Sequence, residues 1–190
     1  MPRRDHQPQR RPSVRPAYTR ILVFCGGLKT EPAYLDGLRA LARANSKVLA
    51  VQARGVSPAQ LVARAARVLE DNPGFYDETW CVFDVDDFDL QGVAAQAKQA
   101  GIRLAVSNPC FELWLVLHHD EHRAVVSCDK IAERLRQLVP RYDKTRLRFT
   151  DFAHGVEAAV ERAQKLEPSG EKHDINPSTG VWRLVERIVQ

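Results

Sequence analysis

Arg20-Ile-Leu-Val-Phe-Cys-Gly-Gly27 is the stretch that decides the fold. Its apolar residues follow one another without a polar break, as they do in a strand that is buried on both faces of a parallel sheet. The two glycines end this strand, and Thr30 can then cap a helix that has Pro32 in its first turn. The succession of strand, tight turn and helix predicts an α/β fold.

The same succession repeats along the first half of the chain. Further strands are predicted over 47–53, 79–83 and 102–106, and helices are predicted after Ser57-Pro58 and over 91–99. Strands that alternate with helices imply right-handed βαβ units, and therefore a mainly parallel sheet flanked by helices. Amphipathic patterns near 129–139, 152–167 and 178–189 predict that the C-terminal part is helical.

The chain has 190 residues, a length that fits one folded domain, which we place at 20–190. Residues 1–19 are predicted to form a disordered basic arm, because they are rich in proline and arginine. Its arginines are Arg3, Arg4, Arg10, Arg11 and Arg15. Such an arm can lie on the phosphate backbone of a nucleic acid; the alternative is a solubilising tail without a specific partner.

Several protein classes are excluded at this stage. No apolar run is long enough to span a membrane, and no apolar segment follows the basic N-terminus as it would in a secretory signal. The four cysteines, Cys25, Cys81, Cys110 and Cys128, show no CxxC spacing and lie in or beside apolar segments. We therefore predict a cytoplasmic protein whose cysteines are reduced core thiols; the alternative is a zinc site.

Three aspartates, Asp84, Asp86 and Asp87, directly follow the third predicted strand. In an extended strand end, Asp84 and Asp86 point to the same side, so both can reach one cation. Carboxylate oxygens suit Mg²⁺ or Mn²⁺. The sequence thus predicts a divalent metal site; the alternative is a solvated acidic turn in which Asp87 caps the next helix.

Two other predicted strands also bring unusual residues to their carboxyl ends. After the first strand, the glycine turn at a helix N-terminus predicts an anion-binding site with Lys29 beside it. It is not a P-loop, because the glycine that a P-loop needs before Lys-Thr is missing. After the fourth strand, Glu112 falls in an almost wholly apolar helix, so it is predicted to be buried and to need a partner, a metal or a proton. The alternative for Glu112 is a role at the helix start, and Asn108 is predicted to be the N-cap.

Four segments together resemble the RloB-like proteins, to which the AbiLii-like phage-resistance proteins are similar. The segments are Ile21–Pro32, Trp80–Asp87, Ser107–Trp114 and Asn176–Thr179. The resemblance covers most of the chain from about residue 20 onward. It implies a Toprim/Rossmann-like domain that holds Mg²⁺ for phosphodiester chemistry, encoded with phage-defence genes and often beside an ABC- or OLD-type ATPase.

The resemblance also implies roles for individual residues. Asp84 and Asp86 fall on the family's Asp-x-Asp metal pair. The family's first loop has a glutamate where this chain has Gly26, and another where it has Leu28, so that Glu31 is the remaining acid of that loop. Glu31 or Glu112 would then take the acid/base role, and Lys29 would neutralise a phosphate.

The leading hypothesis is a Mg²⁺- or Mn²⁺-dependent Toprim-type nuclease that acts on DNA or RNA, tRNA included, in abortive infection with an ATPase partner. The rival, favoured by Gly26, is a catalytically degenerate Toprim-like module that binds nucleic acid or the ATPase without cleavage. A small-molecule phosphotransferase is a third hypothesis, supported by the predicted anion-binding site alone.

Overall fold

The computed structural model of the protein describes residues 19–41, 46–52, 56–85 and 90–189, with the backbone alone for 46–52. Two groups of residues singled out from the sequence lie outside these ranges. They are the arm arginines Arg3, Arg4, Arg10, Arg11 and Arg15, and the acidic residues Asp86 and Asp87.

A mainly parallel sheet forms the centre of the fold. Its strands are β1 (Thr19–Cys25), β2 (Ser46–Gln52), β3 (Glu78–Asp84), β4 (Arg103–Asn108) and β5 (Ser178–Thr179). They are arranged in the order β2-β1-β3-β4-β5, and β5 alone pairs antiparallel. The α/β fold with a mainly parallel sheet is therefore confirmed.

Helices connect the strands and make up most of the C-terminal part. The connecting helices are α1 (Thr30–Leu41), α2 (Pro58–Asp71) and α3 (Leu90–Gln99). The later helices are α4 (Phe111–Leu117), α5 (Cys128–Leu138), α6 (Val156–Leu166) and α7 (Val181–Val189). In the described part of the chain, no helix has the length and apolar character needed to cross a membrane.

The sheet is covered on both faces, which explains why the first strand is apolar throughout. Ile21 and Val23 pack with α1 and the C-terminal helices, whereas Leu22 and Phe24 pack with α2 and α3 on the other face. Successive side chains of a strand point to opposite faces, so each residue of a doubly covered strand contacts a core.

The predicted start of α2 is confirmed in detail. Ser57 is the N-cap, Pro58 is the first helical residue, and Ser57 forms a reciprocal capping box with Gln60. The predicted N-cap role of Asn108 is wrong. Asn108 is the last residue of β4, where it pairs with β5, and its side-chain amide donates a hydrogen bond to the His173 carbonyl at 2.9 Å.

The cysteines also depart from expectation at one position. Cys25, Cys81 and Cys110 are buried thiols, as predicted, but Cys128 is exposed. It is the first residue of α5, where the chain leaves a surface loop, and the residues on either side of it, Ser127 and Asp129, are exposed as well.

Candidate active site

Three carboxylates, those of Glu31, Asp84 and Glu112, meet at the carboxyl edge of the sheet, and we refer to them as the acidic cluster. Asp84 ends β3, Glu31 lies in the first turn of α1, and Glu112 lies in the first turn of α4. Because β3 lies between β1 and β4, the helices that follow those two strands begin on either side of Asp84. The three acidic residues line one open cleft of about 620 Å³. Ligands of parallel α/β sheets bind at this edge.

Of the three carboxylates, Asp84 has the fewest hydrogen-bond and ion-pair partners among the described residues. Its Oδ1 atom is buried and has no hydrogen-bond partner among the described residues, while the carboxylate accepts a hydrogen bond from the Phe111 N–H. Burial, followed by the negative charges of Glu31 and Glu112, raises the pKa of Asp84 well above its ordinary value. Both causes favour the protonated form of Asp84, whereas a cation bound at this carboxyl would favour the ionised form.

Glu31 folds back over the glycine turn. Its carboxylate accepts hydrogen bonds from its own N–H and from that of Gly27. Burial raises the pKa of Glu31, the hydrogen bond from its own N–H opposes that rise, and the charge of Glu112 adds to it. A Cβ atom on Gly27 would lie 2.0 Å from a Glu31 carboxylate oxygen, so a glycine is needed for this arrangement.

Glu112 is the acidic residue of the three that has a full set of partners. Lys144 Nζ lies 2.9 Å from Glu112 Oε1, and the Tyr142 hydroxyl donates to the same oxygen at 3.2 Å. Burial raises the pKa of Glu112, but the hydrogen bond and the charge of Lys144 outweigh it and hold the pKa below its ordinary value. The prediction that Glu112 is buried is confirmed, and its partner is Lys144.

Lys144 comes from the loop that follows α5 and was not recognised as a site residue from the sequence. The Thr30 hydroxyl donates to the Lys144 carbonyl at 2.9 Å and so joins this loop to the start of α1. Burial lowers the pKa of Lys144, but the hydrogen bond from Lys144 to Glu112 and the charges of Glu112 and Asp84 raise it overall. The sequence signal was the basic stretch 141–148, in which nothing separates this lysine from its basic neighbours.

Lys29, the cation predicted from the sequence, lines the same cleft with an exposed side chain. The contact with the acidic cluster is made by Lys144. Neutralisation of a phosphate by Lys29 stays a prediction.

A second cleft, of about 750 Å³, adjoins the first one. Asp84, Glu112 and Lys144 line both clefts, and Arg136 and Tyr142 add a basic and an aromatic side chain to the second. The acidic cluster therefore faces two open volumes, and an extended ligand could contact it from both.

Gly26, where the family has a glutamate, lies close to β3. Its N–H donates to the Val82 carbonyl at 2.7 Å, and an added Cβ would lie 3.0 Å from the Phe83 Cβ. Phe83 packs on the face of α2 and α3, whereas Asp84, the next residue, points to the opposite face. A side chain at position 26 would thus start on the other face of the sheet from Asp84.

The described residues fit a weakly held hard cation better than a closed metal site. Within 19–41, 46–52, 56–85 and 90–189, no group of three or more His, Cys, Asp and Glu side chains could hold a metal ion. In the same ranges Asp84 nevertheless keeps a buried oxygen without a partner, beside two further carboxylates. Mg²⁺ is commonly bound through one or two carboxylates, with water and phosphate oxygens completing its shell.

Comparison with known proteins identifies the family. The family model described as RloB-like protein matches residues 21–188, which is nearly the whole described chain. A search of curated proteins found no match, and a search of solved structures found none either. The chain belongs to the RloB-like protein family.

Proposed function

We propose that this RloB-like protein is a Mg²⁺- or Mn²⁺-dependent nuclease of the Toprim type. It would cleave phosphodiester bonds of DNA or RNA, tRNA included, during abortive infection by phage. The observation that supports this proposal is the convergence of Glu31, Asp84 and Glu112 around Lys144 at the carboxyl edge of the sheet. Three carboxylates with one cation among them favour binding of a further cation.

Asp84 is the described residue that would hold the metal, and Asp86 and Asp87 are its proposed neighbours in the shell. When bound, a divalent ion of this kind polarises a phosphate oxygen and makes water a stronger nucleophile at neutral pH. Asp84 has to lose its proton for this purpose, so metal binding is coupled to proton release.

The remaining side chains have roles that follow from their surroundings. Burial raises the pKa of Glu31 and backbone N–H groups hold its carboxylate in place, which suits a group that takes up and releases a proton. Lys144 projects its ammonium group into both clefts and would bind a phosphate oxygen. Lys29, on the rim of the first cleft, would neutralise a neighbouring phosphate.

Binding outside the clefts would involve the N-terminal arm and a second protein. Arg3, Arg4, Arg10, Arg11 and Arg15 would contact the nucleic-acid backbone. The proposed ATPase partner, of the ABC or OLD type, rests on the family resemblance, and the proposed cytoplasmic location rests on the spacing of the cysteines.

The second candidate function is a module that binds nucleic acid or the ATPase without cleaving. Gly26 favours it, because the acid/base expected at that position is missing. The ion pair of Glu112 with Lys144 favours it too, since Glu112 is then held in the charged form by a cation.

Metal-dependent cleavage of a panel of DNA and RNA substrates, including tRNA, tests the proposal. We expect the wild type to cleave at least one substrate with Mn²⁺, and a chelator or Asp84→Asn to abolish cleavage. Glu70→Gln, which removes an exposed acidic residue of α2, is the matched control and should cleave like the wild type. Binding without cleavage would support the second candidate, and equal cleavage by Asp84→Asn would contradict the proposed site.

A further inference from the structure

Two thiols, those of Cys110 and Cys128, lie at the second cleft next to the acidic cluster. We propose that this pair is an oxidation site, at which a peroxide converts the two thiols into a disulfide that joins α4 to α5. The proposal does not depend on the nuclease activity.

The two sulfur atoms are already neighbours. Cys110 immediately precedes α4, Cys128 is the first residue of α5, and their thiols lie within hydrogen-bonding reach of each other. The Cys128 thiol also donates to the Pro109 carbonyl at 3.5 Å, so it faces the same segment of chain. A disulfide needs the sulfurs about 2.05 Å apart, so a small movement of the exposed Cys128 side chain would complete the bond.

The other two cysteines do not offer such a pair. Cys25 on β1 belongs to the core on the side of α1, whereas Cys81 on β3 belongs to the core on the side of α2 and α3. Both are fully buried. An oxidant in solution therefore reaches Cys128 first, and Cys110 is the thiol within its reach.

The reaction balances with peroxide as the oxidant. The Cys128 sulfur attacks one peroxide oxygen, the O–O bond breaks, and a sulfenic acid forms with release of one water molecule. The Cys110 sulfur then attacks the Cys128 sulfur, the S–O bond breaks, and a second water leaves. Two thiols are oxidised, and one hydrogen peroxide is reduced to two waters.

Glu112 connects this pair to the acidic cluster. The Cys110 thiol lies within hydrogen-bonding reach of the Glu112 carboxylate and helps to keep the pKa of Glu112 low. In the disulfide Cys110 has no S–H group to donate, and the start of α5 is tied to the start of α4 beside the second cleft. We expect oxidation to lower nucleic-acid cleavage reversibly, a consequence that rests on the proposed function.

Mass spectrometry of the peroxide-treated, non-reduced protein tests the proposal. We expect two of the four thiols to be consumed, a cross-linked peptide pair containing Cys110 and Cys128, and complete recovery with dithiothreitol. Cys128→Ser, an exposed and conservative change that should not alter the melting temperature, must prevent the cross-link.

Retention of all four thiols, over-oxidation of Cys128 without a cross-link, or a cross-link between other cysteines would overturn the proposal. These measurements need no cleavage, so they decide the thiol pair separately from the nuclease activity. If the cross-link forms and cleavage is unchanged, the oxidation site stands and its influence on Glu112 is refuted.

Discussion

Asp84 keeps one buried oxygen that has no hydrogen-bond partner within the described part of the chain, beside two other carboxylates. Glu31 shares this crowding, and the pKa values of both groups are raised, chiefly by burial. Folding therefore favours the neutral form of these two carboxyl groups, although a carboxyl group in water is ionised at neutral pH. Residues that destabilise the fold in this way are found mainly at functional sites.

Asp84→Asn should stabilise the metal-free protein at neutral pH by about 1–3 kcal/mol, because the folded wild type has to keep Asp84 protonated at a pH at which the unfolded chain ionises it, and the amide carries no such cost. The sign follows from the raised pKa. Below about pH 4 Asp84 is protonated in both the folded and the unfolded state, so the gain disappears. Above that pH the unfolded state releases the proton first, and the wild type loses stability until the pH passes the folded-state pKa. Urea unfolding of both proteins across this range measures the effect; equal stability at every pH would contradict it.

Lys144→Met should destabilise the protein by about 0.5–1 kcal/mol at neutral pH, a modest value because the lysine side chain is largely exposed. The lowered pKa of Glu112 makes this ion pair contribute stability above about pH 4, and the contribution is lost as the pH falls through the folded-state pKa. Lys29→Met, in the same cleft, is the control and should change nothing. If the two variants have the same free energy of unfolding at all pH values, the ion pair of Lys144 with Glu112 does not stabilise the protein.

At the scale of single elements, the glycine turn between β1 and α1 positions Glu31. Gly27→Ala would put a Cβ 2.0 Å from the Glu31 carboxylate, which is the mobile end of a side chain and can move away. We expect a nearly unchanged melting temperature but cleavage reduced about 10²-fold or more, as expected when a general acid/base is displaced. Gly26→Ala, whose Cβ would be 3.0 Å from Phe83, should keep its activity. Full cleavage by Gly27→Ala would rule out a role for the placement of Glu31.

The sequence patterns predicted these elements well where burial alone determines them. β1, β3 and β4 contact a hydrophobic core on each face, so their apolar runs located them within one or two residues. The strand β5 was missed, because its two residues fall within the amphipathic pattern near 178–189 that predicted a helix. The start of α2 followed from its own capping residues, Ser57 and Pro58. The N-cap prediction for Asn108 was wrong because β4 continues through this residue and pairs with β5, which lies far along the chain.

Part of the candidate site could be predicted for the same reason. Asp84 stands at the end of a recognisable strand, Glu31 follows the glycine turn after another, and Glu112 is conspicuous as an acidic residue within an apolar helix. Lys144 lies in a loop without regular structure, and it reaches Glu112 only because that loop is joined to the start of α1 through Thr30. No local pattern encodes such a contact.

At the scale of the whole molecule, the family match begins at residue 21, just after the basic arm. Deleting residues 1–15 should leave the melting temperature unchanged, because this proline- and arginine-rich stretch has few apolar groups to bury. It should weaken nucleic-acid binding and lower the dependence of log K on log salt by about 0.9 for each duplex DNA phosphate that the arm had neutralised. Fluorescence anisotropy over a range of salt concentrations measures both. If the slope of log K against log salt is the same with and without residues 1–15, the arm does not contact phosphates and is a solubilising tail.

The proposed function depends above all on binding of a divalent cation by the acidic cluster around Asp84. Calorimetric titration of Mn²⁺ into the wild type and into Asp84→Asn tests it most directly, in two buffers with different ionisation enthalpies. We expect saturable binding to the wild type with an apparent enthalpy that changes with the buffer, because Asp84 releases its proton as the metal binds. Asp84→Asn should show neither saturable Mn²⁺ binding nor an enthalpy that depends on the buffer. Equal Mn²⁺ binding by the two proteins, or binding to the wild type without proton release, would contradict the account.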